Sequence, residues 1–102
     1  TTANIVITPE VIKQKVAEIY NIKVDEFSAK KRNRNIAYPR QIAMYLCRDM
    51  TDLSLPKIGE YFGGRDHSTV IHACERIASD LKTDLSLQAT INNIKNQLTG
   101  SN

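Results

Sequence analysis

Two adjacent glycines, Gly63-Gly64, interrupt an otherwise helix-forming chain and restrict it to folds in which two helices meet at a tight turn. Glycine is costly inside a helix and favourable where the backbone must take positive φ. Ahead of the pair, Ser54 suits the cap of a short helix of about two turns, with Leu55, Ile58 and Phe62 facing inward. Beyond it, Asp66 suits the cap of a longer helix, with Thr69 three residues on and Val70, Ala73, Cys74, Ile77 and Leu81 recurring as one buried stripe. Gly59, four residues before Gly63, places a small residue where the two helices must approach. What remains is polar. Arg65, Asp66, His67, Ser68 and Thr69 crowd the first turn of the second helix, where unpaired backbone N–H groups also project toward a partner.

The rest of the chain reads as helices that surround this pair. Residues 1–7 are expected to be a flexible lead-in or the end of a linker, and residues 100–102 a flexible tail, around a domain spanning 8–99. Thr8 is a good N-cap, Pro9 fits the first helical position and Glu10 suits the positive end of the helix dipole. Val11, Ile12, Val16, Ile19 and Tyr20 then form an apolar face, with Lys13, Lys15 and Glu18 on the polar side and Asn21 as the stop. Val24 to Phe27 fits one short turn of helix, and Lys30 to Asn35 reads as a loop. Pro39 marks the next helix start, with Ile42, Ala43, Leu46, Cys47 and Met50 as its core stripe and Gln41 and Arg48 together on the opposite face. A last helix over Ser86–Leu98 closes the core through Leu87, Ile91, Ile94 and Leu98. Short strand-forming runs, no Trp, four Gly and three Pro make the fold class all-α, a small helical domain containing a helix-turn-helix variant with a basic loop. At 102 residues one domain suffices, burying roughly 60 to 70% of its unfolded surface.

Charge is unevenly placed within the formal net of +3. Residues 30–48 hold Lys30, Lys31, Arg32, Arg34, Arg40 and Arg48 with no acid, while the segments on either side are each net acidic. An acid-free basic stretch of that kind points to a polyanionic partner. Cys47 and Cys74 fall on helical core positions and read as reduced packing residues, consistent with a cytoplasmic location. No apolar run approaches the roughly 20 residues of a membrane span, and no signal-peptide pattern opens the chain.

A short helix, a glycine turn and a longer helix with a polar start form the helix-turn-helix arrangement, whose second helix enters the DNA major groove. The run Gly63-Gly64-Arg65-Asp66-His67-Ser68-Thr69-Val70-Ile71-His72-Ala73 resembles the DNA-binding signature of DnaA, the bacterial initiator of chromosome replication. Pro39-Arg40-Gln41 and Ser54-Leu55-Pro56-Lys57-Ile58-Gly59 extend the resemblance, which covers roughly residues 8–99 in order. It implies an all-helical C-terminal domain that recognises the DnaA box, a short asymmetric duplex element at the replication origin. By position, Arg32 resembles the arginine that enters the minor groove, and Asp66, His67 and Ser68 resemble the major-groove readers. Arg40, Gln41, Arg48, Thr69 and the backbone around Leu55 and Pro56 resemble phosphate contacts; Arg34, Lys57, Arg65 and His72 are expected to join them. Many relatives carry threonine at Ser68; serine keeps the hydroxyl but lacks the methyl that would touch a thymine methyl.

The residue chemistry points the same way. A carboxylate such as Asp66 accepts from cytosine N4–H, and an arginine suits the narrow, strongly negative minor groove of an A·T-rich step. The resemblance further implies a bacterial, nucleoid-associated protein that meets other copies of the initiator through domains outside this sequence. ATP is then a cofactor of an ATPase domain also outside it, because no Gly-Lys-Ser/Thr follows the glycines at Walker A spacing. No cofactor is expected in this domain itself. A metal-dependent nuclease built from Asp66, His67, His72 and Cys74 fails on geometry, since His67 and His72 lie about 140° apart around a helix. Weak contact with acidic phospholipids through Pro9–Tyr20 and the basic loop is a secondary expectation, limited by the mixed charge of that helix.

Overall fold

The computed structural model describes residues 7–29 and 34–100, with the Arg34 side chain excepted. Five α-helices follow in order: α1 (Pro9–Tyr20), α2 (Arg34–Met50), α3 (Leu55–Tyr61), α4 (His67–Asp80) and α5 (Leu85–Thr99), with a 3-10 turn at Val24–Phe27. No strand occurs among the described residues.

Local chemistry sets most of the boundaries. Thr8 Oγ1 accepts from the Val11 amide at 3.3 Å to open α1, and Asn21 closes it in the left-handed region at φ 55°. Ser54 Oγ accepts from the Lys57 amide at 3.3 Å to open α3. Asp84 does the same for α5, accepting from the Leu87 amide at 3.0 Å. The last helix therefore begins one residue earlier than expected and also runs one residue further.

The start of α2 is a correction. Pro39 was expected at the first helical position and Lys30–Asn35 as a loop; instead the helix begins at Arg34 and Pro39 lies inside it. Proline there removes the amide that would pair with the Asn35 carbonyl, and it disfavours helical geometry at Tyr38. Tertiary packing overrides both effects, because Ile36 and Pro39 are buried and the Tyr38 ring reaches α4. Lys30 to Asn33 lie outside the described residues.

A single core runs from Ile12 to Leu98, with α2 packed against α1, α3 and α4, and α5 against α1. Phe27 and Phe62 meet at its centre, ring centroids 6.2 Å apart. Lys13 is a second correction, for it is 9% exposed rather than on the polar face of α1. Its ammonium donates to the Tyr61 carbonyl at the end of α3 and lies 5.3 Å over the Phe62 ring, so an orphan helix carbonyl and an aromatic face take the place of water. Cys47 and Cys74 are free thiols; burial pushes Cys47 up to about 12, leaving it a protonated packing group.

Candidate nucleic-acid interface

The α3–α4 turn is built on Gly59, Gly63 and Gly64. Gly59 sits in α3 with its carbonyl accepting from the amides of Phe62, Gly64 and Arg65 at 3.1, 3.1 and 2.9 Å. Gly63 and Gly64 then take φ of +87° and +76°, conformations that L side chains rarely adopt. The turn delivers the chain to Asp66, the N-cap residue of α4.

At that cap the side chains bind one another. Ser68 Oγ donates to Asp66 Oδ2 at 3.0 Å, and His67 Nδ1 lies 3.1 Å from Asp66 Oδ1. The Asp66 side chain therefore makes no capping bond to the second or third amide of α4, contrary to the simple capping role that its position suggests. The Ser68 hydrogen bond above all, helped by His67, holds the Asp66 carboxyl below its ordinary value, so it is an anionic acceptor at neutral pH. Asp66, His67, Thr69 and His72 are exposed and Ser68 is half-buried, forming one polar platform on the first turns of α4.

The structure brings a second group of the expected residues together at the root of the basic segment. Arg65 Nη2 donates to the Ala29 carbonyl at 2.8 Å, and Arg40 Nε donates to the Phe27 carbonyl at 3.2 Å. Burial first and Arg65 second lower the Arg40 pKa. Two arginines expected to meet phosphates thus grip the backbone just ahead of Lys30, Arg40 tying Phe27 to α2 and Arg65 tying Ala29 to the approach to α4. Arg40 Nη2, Arg65 Nε and Gln41 Oε1 are buried without a hydrogen-bond partner among the described residues. Arg48 is exposed on α2 and donates to the Leu53 carbonyl at 3.2 Å. Leu55, Pro56 and Lys57 form the first turn of α3, with Pro56 and Lys57 exposed. Arg32 lies outside the described residues, and Arg34 is the first residue of α2.

Three residues here escaped the sequence reading. Tyr38 donates to Asp80 Oδ2 at 2.8 Å, and the Arg76 guanidinium lies 5.0 Å over the Tyr38 ring while its Nε stands 3.8 Å from the same carboxylate. Arg76 had a usable signal, since Ser68, His72 and Arg76 follow at successive four-residue steps and share a helix face. Burial first, then the Asp80 hydrogen bond and charge, push the Tyr38 phenol from 10.0 up to about 12. A raised folded value means that the contribution of this contact is fully present below pH 10 and is lost as pH rises toward about 12. The tyrosinate absorbance titration of the native domain, minus that of Tyr38→Phe, is expected to show one phenol ionising near 12. A midpoint near 10 would mean that neither burial nor Asp80 acts on the phenol as described.

The described residues hold no group of three or more His, Cys, Asp or Glu placed to bind a metal ion, and no helix among them is long and apolar enough to cross a membrane. A family described as the bacterial dnaA protein helix-turn-helix matches residues 9–77. The chain belongs to the DnaA helix-turn-helix family. It is a DNA-binding domain of that family rather than a catalytic one. A crystal structure described as a DNA replication initiation factor is similar, with 33% sequence identity, a TM-score of 0.79 and 90% of this chain covered. The chain spans only 28% of the length of that neighbour. The DnaA match ends within α4, so α5 lies outside it while still sealing the core with Leu87, Ile91, Ile94 and Leu98.

Proposed function

We propose that this chain binds double-stranded DNA sequence-specifically at DnaA boxes of a bacterial replication origin and so serves initiation. In this reading α4 enters the major groove, where Asp66, His67 and Ser68 read base edges, and Arg32 enters the adjacent minor groove. The observation that carries it is the solvent-facing Asp66–His67–Ser68 cluster at the N-terminus of α4, with Asp66 and His67 exposed, tied through Arg65 to the residue directly before the basic segment. Arg34, Arg40, Gln41, Arg48, Leu55, Pro56, Lys57, Arg65, Thr69 and His72 set the register on the backbone in this reading. In the free protein Arg40 and Arg65 donate to the Phe27 and Ala29 carbonyls, so their remaining guanidinium donors are the ones that would meet phosphates. Other copies of the initiator, ATP and the cytoplasmic nucleoid belong to the proposal through the longer protein. The phospholipid reading has weaker support, since Lys13 is buried and Lys15 pairs with Glu18 at 3.6 Å, leaving α1 with little free positive charge.

A mobility shift at two salt concentrations, comparing a DnaA-box duplex with a scrambled duplex, tests the reading. Binding is expected to prefer the box in the presence of competitor DNA and to weaken with salt as counterions are released. Equal binding to both duplexes would reduce the domain to a generic basic module. Asp66→Ala and Arg32→Ala are each expected to cost about 1 to 3 kcal/mol on the box and to relax discrimination, whereas Arg48→Ala weakens all duplexes more evenly. Equal loss on box and scrambled DNA for Asp66→Ala would remove its role as a base reader.

A further inference from the structure

At the head of α4 the Asp66 backbone takes over the capping that its side chain would ordinarily supply. An N-cap side chain normally accepts from the second or third amide of its helix. Here the third, the Thr69 amide, donates to the Asp66 carbonyl at 3.0 Å, and the Val70 amide converges on the same oxygen at 3.4 Å. The carboxylate makes no capping bond and engages its neighbours instead. Ser68 Oγ donates to Oδ2 at 3.0 Å, and His67 Nδ1 stands 3.1 Å from Oδ1. A serine hydroxyl carries a single proton, so while that bond stands Ser68 has lone pairs but no donor left for a base edge. Asp66 keeps acceptor capacity, because an ionised carboxylate offers roughly four lone-pair sites, more than these two side chains fill.

We propose that Ser68 serves base reading as a positioning residue: its hydroxyl, by donating to Asp66 Oδ2, holds the carboxylate off the capping position and presents its remaining lone pairs to the major groove. The proposal rests on the DNA-binding reading given above, and assigns the contribution of Ser68 in that reading to its hold on Asp66. The chemistry selected is an exocyclic amino group, since cytosine N4 and adenine N6 are the base donors of the major groove. A carboxylate that swings back to the Thr69 amide loses its line to such a group. The lowered Asp66 pKa, for which the Ser68 bond is the first cause, agrees, because the hydroxyl favours the charged acceptor. Without the hydroxyl, Oδ2 loses that donor and the amides of the first turn compete for the carboxylate.

Ser68→Ala, Ser68→Thr, Asp66→Ala and the double alanine variant test this against a box duplex carrying single base-pair substitutions. Positions read by Asp66 are those at which Asp66→Ala relaxes discrimination. Ser68→Ala is expected to lower discrimination about two- to tenfold there, the range of one hydrogen bond, and less than about twofold elsewhere. Ser68→Thr keeps the hydroxyl and should keep discrimination. The double variant should lose no more than Asp66→Ala alone, because no carboxylate is left to position. An NMR titration of the Asp66 carboxyl in the DNA-free domain reads the bond itself: the midpoint should rise toward the ordinary value of 3.8 in Ser68→Ala and stay with the native one in Ser68→Thr. An unshifted midpoint in Ser68→Ala overturns the proposal, and so does unchanged discrimination or a threonine variant that behaves as alanine. A double variant that falls below Asp66→Ala by the full Ser68→Ala loss also overturns it, since Ser68 would then meet the DNA on its own account. Loss spread equally over all positions, as a general drop in stability would give, overturns it too. A native protein that does not distinguish box from scrambled duplex overturns the DNA reading and the specificity role with it, while the titration still reports separately on the bond between Ser68 and Asp66.

Discussion

Gly59→Ala is expected to destabilise the domain by about 3 kcal/mol or more, at the top of the range for overpacking by one methyl. Helix propensity alone predicts the opposite, since alanine is better than glycine inside a helix by about 1 kcal/mol. The structure reverses the sign. A Cβ on Gly59 would stand 2.1 Å from the Arg65 carbonyl oxygen and 3.1 Å from its carbon, so the obstacle is backbone and cannot swing aside. Displacing Arg65 also strains the three amides that converge on the Gly59 carbonyl and pulls the guanidinium from Ala29. Stability and DNA recognition should therefore fall together. Urea unfolding checks the first and the box-against-scrambled comparison the second. A Gly59→Ala domain as stable as the native one would mean that α3 and the Arg65 backbone do not approach as closely as described. A cost of that size is a large share of the roughly 5 to 15 kcal/mol that holds a small domain together.

What could be read from the sequence follows how local each signal is. Thr8-Pro9, Ser54 and the glycine pair act within three or four residues, and α1, α3 and the turn lie where those signals put them. The exposed Asp66–His67–Ser68 cluster was legible for the same reason, because the first turn of an amphipathic helix defines its own outward side. The start of α2 was not, because Pro39 is a strong local marker of a helix N-terminus and the residues that override it, Ile36 and Tyr38, draw their support from distant parts of the chain. Lys13 misled for a related reason. Periodicity places it one turn beyond Pro9 and one turn before Val16 and Ala17, on the buried side, but its charge argued for solvent. Only the Tyr61 carbonyl and the Phe62 ring, 48 and 49 residues further on, make that burial tolerable. Arg40 and Arg65 were recognisable as basic positions but not as clasps on Phe27 and Ala29, since backbone carbonyls leave no mark in a sequence.

The two turn glycines, alike in the sequence, should respond differently to the same change. Both take positive φ, so either substitution carries a conformational cost of roughly 1 to 2 kcal/mol for a left-handed residue. At Gly64 nothing lies within 4 Å of the added Cβ, and that cost should be the whole effect. At Gly63 the Cβ would fall 2.5 Å from the Ser28 carbonyl oxygen and 3.2 Å from its Cα, adding about 1 to 3 kcal/mol of overpacking. Gly63→Ala should therefore lose about 3 kcal/mol in total, roughly twice the loss for Gly64→Ala, by urea unfolding of each variant. The difference also has a direction. Ser28 and Ala29 directly precede Lys30 in the chain, and Arg65 holds Ala29, so pushing Ser28 away from the turn bears on that hold. Once stability is matched by temperature, Gly63→Ala should lose box preference and Gly64→Ala should keep it. Equal unfolding free energies for the two variants would show that the turn does not bear on Ser28, leaving the Arg65–Ala29 hydrogen bond as the described link at that end.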